Sequence, residues 1–93
     1  MSGVTSGAHY PFPPASAYRL NRCLFALKSD AAFRQSFQQD ATRAMTEAGL
    51  SDQQQKLVLA RDRDALVAAG AHPYLVFMAD LRLRMDRSAF EYF

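Results

Sequence analysis

The sequence predicts an all-α fold, a small bundle of about five to six short helices over residues 16–87. Apolar residues recur there at the spacing of amphipathic helices, and no stretch alternates apolar and polar residues as a half-buried strand does. Serine, aspartate and glycine residues interrupt the pattern at short intervals, as helix caps do. With 93 residues, 49% of them hydrophobic and 22% charged, the chain has the size and composition of one globular domain.

An arm and a tail flank this domain. Residues 1–15 carry no charge, and three prolines interleaved with Tyr10 and Phe12 favour an extended arm. The tail, residues 88–93, ends in Phe-Glu-Tyr-Phe. Aromatic side chains without neighbouring charges favour contact with another surface, so we expect Tyr10 and Phe12 to lie on a partner protein. We expect the same of Tyr92, in the aromatic tail.

The first helix is predicted to begin after Ser16, as its N-cap, and to run to about Lys28. Tyr18 and Phe25, seven positions apart, share one side of it. The residues on the opposite side, which we expect in the core, are Leu20, Cys23, Leu24 and Leu27. This helix therefore has two apolar faces, and we assign the face with Tyr18 and Phe25 to a partner.

Two short helices follow. Ser29 or Asp30 caps the second helix, in which Phe33 and Phe37 lie one turn apart. Asp40 begins the third helix, which ends at a glycine. The residues of the third helix that we expect to face inward are Ala41, Ala44, Met45 and Ala48.

Two further helices are indicated by their caps. Ser51 and Gln54 have the spacing of a capping box for the fourth helix. Asp62 or Asp64 begins the fifth helix, which ends at Gly70. The residues expected in the core are Leu57, Val58 and Ala60 from the fourth helix and Leu66 and Val67 from the fifth.

The last helix begins at His72-Pro73, because proline suits the first helical position. Residues 74–79 leave no polar side for nearly two turns. A helix that is apolar all round must be covered all round, and so small a domain covers only one side. We therefore assign Phe77 to a partner. The charged residues 80–87 are expected to form a solvated face with local ion pairs, or the rim of a docking surface.

The composition argues against several functions. The chain has two histidines and one cysteine, too few for a four-ligand zinc site. It contains none of the common catalytic or phosphate-binding motifs. Cys23, on the core side of its helix, is interpreted as a small buried thiol. We therefore expect no activity and no metal site in this chain alone.

Localisation follows from the same counts. A single cysteine allows no internal disulfide, which fits a reducing compartment. The longest apolar run, residues 74–79, is too short to span a membrane, and the first residues resemble no secretion signal. We expect a cytoplasmic protein that binds no membrane.

DNA binding is an alternative, since residues 40–61 form helix, turn and helix. The residues available to contact bases are Gln53, Gln54, Gln55 and Lys56. The net charge of the whole chain is only +2, and such binding depends on many contacts between basic side chains and phosphates. We therefore expect no nucleic-acid partner.

Four segments in fixed order resemble the small (alpha) subunit of LigAB-type extradiol dioxygenases, a family that includes protocatechuate 4,5-dioxygenase. They are residues 17–28 (AYRLNRCLFALK), 48–51 (AGLS), 59–62 (LARD) and 70–75 (GAHPYL). The resemblance covers roughly residues 16–80. It departs from the protocatechuate enzyme in stopping at Phe93 and in carrying a His-Pro pair. In length it is closer to the small subunits of biaryl-diol dioxygenases.

The resemblance implies an all-helical subunit that binds no metal itself. It would cover the active site of a large catalytic subunit, which holds Fe(II) and cleaves a catechol-type ring with O2, in an α2β2 heterotetramer. It also implies that His72 lies near the substrate and that Tyr74 and Leu75 line the outer pocket. The alternative within this fold is a stand-alone LigA-like domain used for protein interaction.

Overall fold

The computed structural model describes the backbone of residues 15–91 and the side chains of residues 17–86. This part of the chain is all-α and contains no strand, as the sequence predicts. The six helices are α1 (Ala15–Ser29), α2 (Ala31–Gln39), α3 (Ala41–Glu47), α4 (Asp52–Ala60), α5 (Arg63–Ala68) and α6 (Pro73–Glu91). The expectations for Tyr10, Phe12 and Tyr92 lie outside the described residues.

The long helices α1 and α6 pack against each other and form the largest helix–helix contact. The four shorter helices connect them, each packed mainly on its neighbours in the chain. The core side of α1 is buried as predicted, with Leu20 and Leu27 fully covered. The other buried apolar residues are Ala17, Cys23, Leu24, Phe37, Ala44, Met45, Leu50, Val58, Leu66, Ala71, Val76, Ala79 and Leu83.

Side-chain caps begin the short helices. Asp30 accepts from the backbone N–H of Phe33 at 3.1 Å, and Asp62 accepts from that of Ala65 at 3.1 Å. The capping box of α4 is complete, since Ser51 and Gln54 each accept from the other's backbone N–H. The predicted N-cap of α1 is wrong: the helix begins at Ala15, so Ser16 lies inside it and not before it.

Two turns depend on glycine. Gly49 (φ 87°) follows α3 and Gly70 (φ 104°) follows α5, both in the left-handed region that glycine adopts without strain. At each turn the following residue donates five positions back, Leu50 to the carbonyl of Met45 at 3.0 Å and Ala71 to that of Leu66 at 2.9 Å. These are Schellman motifs, and each one places the residue after its glycine, Leu50 or Ala71, in the core.

Two core predictions are wrong. Ala60 is exposed, because the buried side of α4 passes through Gln54, Gln55 and Val58, and residue 60 lies about 200° round the helix from Val58. Val67 is 37% exposed, whereas Leu66 is the buried residue of the short helix α5. Both errors arose because these apolar residues were expected to be buried, whereas only a narrow side of each short helix faces the core.

Candidate partner and pocket surface

The start of α6 is held by the side chains of Asn21 and His72. The backbone N–H of His72 donates to Asn21 Oδ1 at 2.7 Å, and Asn21 Nδ2 donates to the carbonyl of Gly70 at 3.0 Å. The imidazole of His72 in turn accepts at Nδ1 from the backbone N–H of Tyr74, at 3.1 Å. His72 is therefore the N-cap of α6, and Asn21 of α1 fixes the turn that precedes it.

Beside this turn, one aromatic ring of α1 and one of α6 lie near the same lysine. The ammonium of Lys28 lies 5.2 Å from the ring centroid of Phe25 and 5.9 Å from that of Tyr74. The rings of Tyr74 and His72 are 6.5 Å apart and perpendicular. Phe25 is 53% exposed and Tyr74 54%. We call these four residues, Phe25, Lys28, His72 and Tyr74, the aromatic surface.

The other predicted site residues lie around this surface. Leu75 is half-buried and packs against the hydrophobic core, so only part of it is accessible. Phe77 lies one turn along α6 from Tyr74 and is 54% exposed. Tyr18 is 64% exposed, two turns before Phe25 on α1. The structure thus places His72, Tyr74 and Phe25 on one surface. Leu75 lies at its edge, partly exposed and partly in contact with the core.

Tyr18 also borders an open groove of about 410 Å³ between α1, α2 and α3. The side chains that line it are Tyr18, Arg19, Arg22, Cys23, Ala26, Phe33, Glu47 and Ala48. Cys23 is 2% exposed, and its burial raises the pKa of the thiol to about 11. The thiol is therefore protonated at neutral pH and is a poor nucleophile, in agreement with its interpretation as a core residue.

The described residues do not fit an iron site of their own. No three His, Cys, Asp or Glu side chains within residues 17–86 converge closely enough to hold a metal ion. His72 uses Nδ1 to cap α6, which leaves it one nitrogen at most for a ligand. An iron ion required by the family's chemistry therefore finds no coordinating cluster in this part of the chain.

The glutamines considered for DNA contact are used inside the domain. Gln54 is buried in the capping box of α4. Gln55 is also buried, and its Nε2 donates to Thr46 Oγ1 at 3.1 Å and to the carbonyl of Leu50 at 3.2 Å. Neither side chain is available to contact a base edge.

Sequence reasoning missed two side chains at this surface, Asn21 and Lys28. It also missed Arg34 and Arg61, which form ion pairs with carboxylates of α6. Asn21 lies in the first of the segments that carry the family resemblance, and that was its only signal. Arg61 adopts the left-handed conformation after α4 (φ 55°) and donates to Asp80 Oδ1 at 2.9 Å. Asp80 also pairs with Arg84, so the predicted ion pairs on the outer face of α6 exist here.

No helix within residues 15–91 is long and apolar enough to cross a membrane. Neither the comparison with curated proteins nor that with solved structures gives a match. The sequence profile of the family described as "Aromatic-ring-opening dioxygenase LigAB, LigA subunit" matches residues 20–87, which include Asn21, the turn at Gly70 and most of α6. The chain therefore belongs to the LigA family, the small subunits of LigAB aromatic-ring-opening dioxygenases.

Proposed function

We propose that this chain is the non-catalytic small subunit of a cytoplasmic, heteromeric extradiol dioxygenase. Its partner is a large subunit that holds Fe(II), binds a catechol-type substrate and O2, and cleaves the ring beside the diol. The two subunits assemble as an α2β2 heterotetramer. The observation that carries this proposal, beyond the family itself, is the aromatic surface, where large rings lie half exposed beside the start of α6.

The contact with the large subunit is formed by the exposed rings of α1 and α6. Tyr18, Phe25 and Phe77 are each more than half exposed, although rings of this size contribute most when they are buried. Covering them stabilises a complex by roughly 25 cal/mol per Å² of apolar area, before the costs of association. Lys28, between the rings of Phe25 and Tyr74, is placed to meet a carboxylate of the large subunit.

The chemistry belongs to the large subunit, where Fe(II) would supply a binding site for the diol and O2. The residues of this chain contribute the wall of the pocket that faces away from the iron. Tyr74 and Leu75 line that wall and exclude water from the reacting ring. His72 lies beside them and offers a hydrogen bond to an oxygen of the substrate. Because the cap and the Asn21 contacts fix this turn, its residues keep their places without the substrate.

Co-expression tests the proposal. The chain is produced with a LigB-type large subunit encoded beside its gene, and the complex is isolated by size-exclusion chromatography. Ring cleavage is then measured with and without this chain. We expect a stable complex and a rate that depends on the small subunit. If the large subunit cleaves its substrate equally well alone, and no complex forms, the chain is a stand-alone interaction domain.

A pair of substitutions locates the contact. Phe25→Asp puts a charge into the aromatic surface and should abolish the complex. Leu59→Asp is the matched control, because Leu59 is 50% exposed on α4, away from that surface, and should leave assembly intact. Circular dichroism of both variants checks that the domain still folds. Assembly that survives Phe25→Asp would place the contact on another face.

A further inference from the structure

We infer that Asn21 is a positioning residue for His72. Its side chain holds the start of α6 so that the imidazole accepts at Nδ1 and presents its Nε2–H outward, as a hydrogen-bond donor to an oxygen of the catechol-type substrate. The role of Nε2–H rests on the proposed function. The positioning of the imidazole by Asn21 concerns this chain alone.

The contacts of Asn21 amount to a capping box shared between two helices. In α4, the cap residue Ser51 accepts from the N–H of Gln54, and the Gln54 side chain accepts from the N–H of Ser51 at 2.9 Å. In α6, the cap residue His72 accepts from Tyr74, but the side chain that accepts from its own N–H belongs to Asn21, 51 positions earlier. Asn21 therefore does from α1 what Gln54 does within α4.

The second contact of Asn21 fixes the direction of its amide. Nδ2 donates to the carbonyl of Gly70, so Oδ1 must be the atom that faces the N–H of His72. Gly70 is in the left-handed conformation and Ala71 is buried, so the backbone that leads to His72 is also held in place. The cap residue thus has little freedom to turn its ring away from Tyr74.

The cap determines which nitrogen of the ring carries the proton. A backbone N–H can only donate, so Nδ1, which accepts from Tyr74, carries no proton in this arrangement. The proton of the neutral ring is then on Nε2. No described side chain or backbone group bonds to Nε2, and His72 is exposed. The ring therefore shows a donor, and not an acceptor, to whatever covers the aromatic surface.

Nuclear magnetic resonance on the 15N-labelled full-length chain tests the positioning. A His9→Gln variant identifies the signals of His72. We expect a protonated Nε2, and a scalar coupling across the hydrogen bond between the Tyr74 amide and Nδ1, in the wild type and in Asn21→Asp, which keeps the acceptor for His72. We expect Asn21→Leu to lose the coupling. Gln38→Ala removes an exposed amide side chain from α2 and is the control.

Two results would overturn the positioning. One is a wild-type chain in which the neutral ring of His72 carries its proton on Nδ1. This measurement does not depend on any variant folding. The other is a coupling that persists in Asn21→Leu. Neither result depends on a large subunit, so they are distinct from a failure of the proposed function, which would appear as a wild-type chain that forms no complex.

Kinetics of the assembled complex test the donor. We expect Asn21→Leu to raise KM about five- to tenfold with kcat changed less than twofold, the effect of losing one hydrogen bond in binding. The double variant Asn21→Leu/His72→Ala should have the KM of His72→Ala alone, because the two residues act through one contact. Fully additive effects, or an unchanged KM in assembled Asn21→Leu, would show that Nε2–H does not contact the substrate.

Discussion

Arg34 Nε, on α2, lies 2.6 Å from Asp86 Oδ2, on α6, across 52 positions of sequence. The same guanidinium donates through Nη1 to the carbonyls of Leu27 and Lys28, in the last turn of α1. These carbonyls have no partner within the helix, so Arg34 completes the end of α1 while it ties α2 to α6. Asp86, predicted to pair locally, instead pairs across the fold.

The first prediction concerns this contact. Arg34 is only 5% exposed, so Arg34→Ala removes three hydrogen bonds and leaves two carbonyls and a carboxylate without their partner. We expect the free energy of unfolding to fall by about 2–4 kcal/mol, measured by urea denaturation. The control is Arg43→Ala, which breaks the exposed pair with Glu47 and should cost less than about 0.5 kcal/mol. Equal losses in the two variants would contradict the structural role of Arg34.

The second prediction concerns Gly49. A Cβ placed there would lie 2.6 Å from Arg19 Nη1 and would require a left-handed φ of 87°. We expect Gly49→Ala to lower the free energy of unfolding by about 1–2 kcal/mol. Arg19→Ala in the same chain should recover only part of that loss, because it relieves the contact and not the backbone strain. Gly49→Asn should cost less, since asparagine tolerates this conformation. Complete recovery with Arg19→Ala would show that the backbone contributes nothing.

The third prediction concerns pH. Burial raises the pKa of the Cys23 thiol from 9.0 to about 11, so the folded state holds this proton where the unfolded state releases it. Its contribution to stability is therefore complete below pH 9 and is lost as the pH rises through 11, by at most about 1.4 kcal/mol per pH unit. Urea midpoints of the wild type and Cys23→Ala should converge over that interval. Parallel curves for the two proteins would contradict it.

The fourth prediction separates the pocket wall from the core. His72→Ala and Leu75→Ala should change KM, or the preference among catechol-type substrates, in the assembled complex. Val76→Ala is the matched control, because Val76 is 7% exposed and its side chain lies in the core. That variant should lower the free energy of unfolding by about 1–2 kcal/mol and leave KM unchanged. Unchanged kinetics in His72→Ala and Leu75→Ala would leave His72 a cap and Leu75 a core residue.

Features that depend on neighbouring residues could be predicted from the amino-acid sequence. The period of Leu20, Cys23, Leu24 and Leu27 gave the buried side of α1, and four consecutive caps gave the order of the short helices. These are local properties, since a helix repeats every 3.6 residues and a cap acts within three positions. The family could also be predicted from the sequence, because the segments that resemble it are short and occur in a fixed order.

Contacts between side chains far apart in the sequence depend instead on how the helices pack. The contact of Asn21 with His72 spans 51 positions and that of Arg34 with Asp86 spans 52, and neither changes the local pattern in which its residues occur. Such pairs depend on where α1, α2 and α6 cross, and the crossing is set by the packing of the whole core. The same packing left Ala60 and Val67 outside and placed Lys28 between Phe25 and Tyr74. The surface at the start of α6 is therefore a product of helix packing, although Phe25, His72 and Tyr74 were predicted from the sequence as site residues.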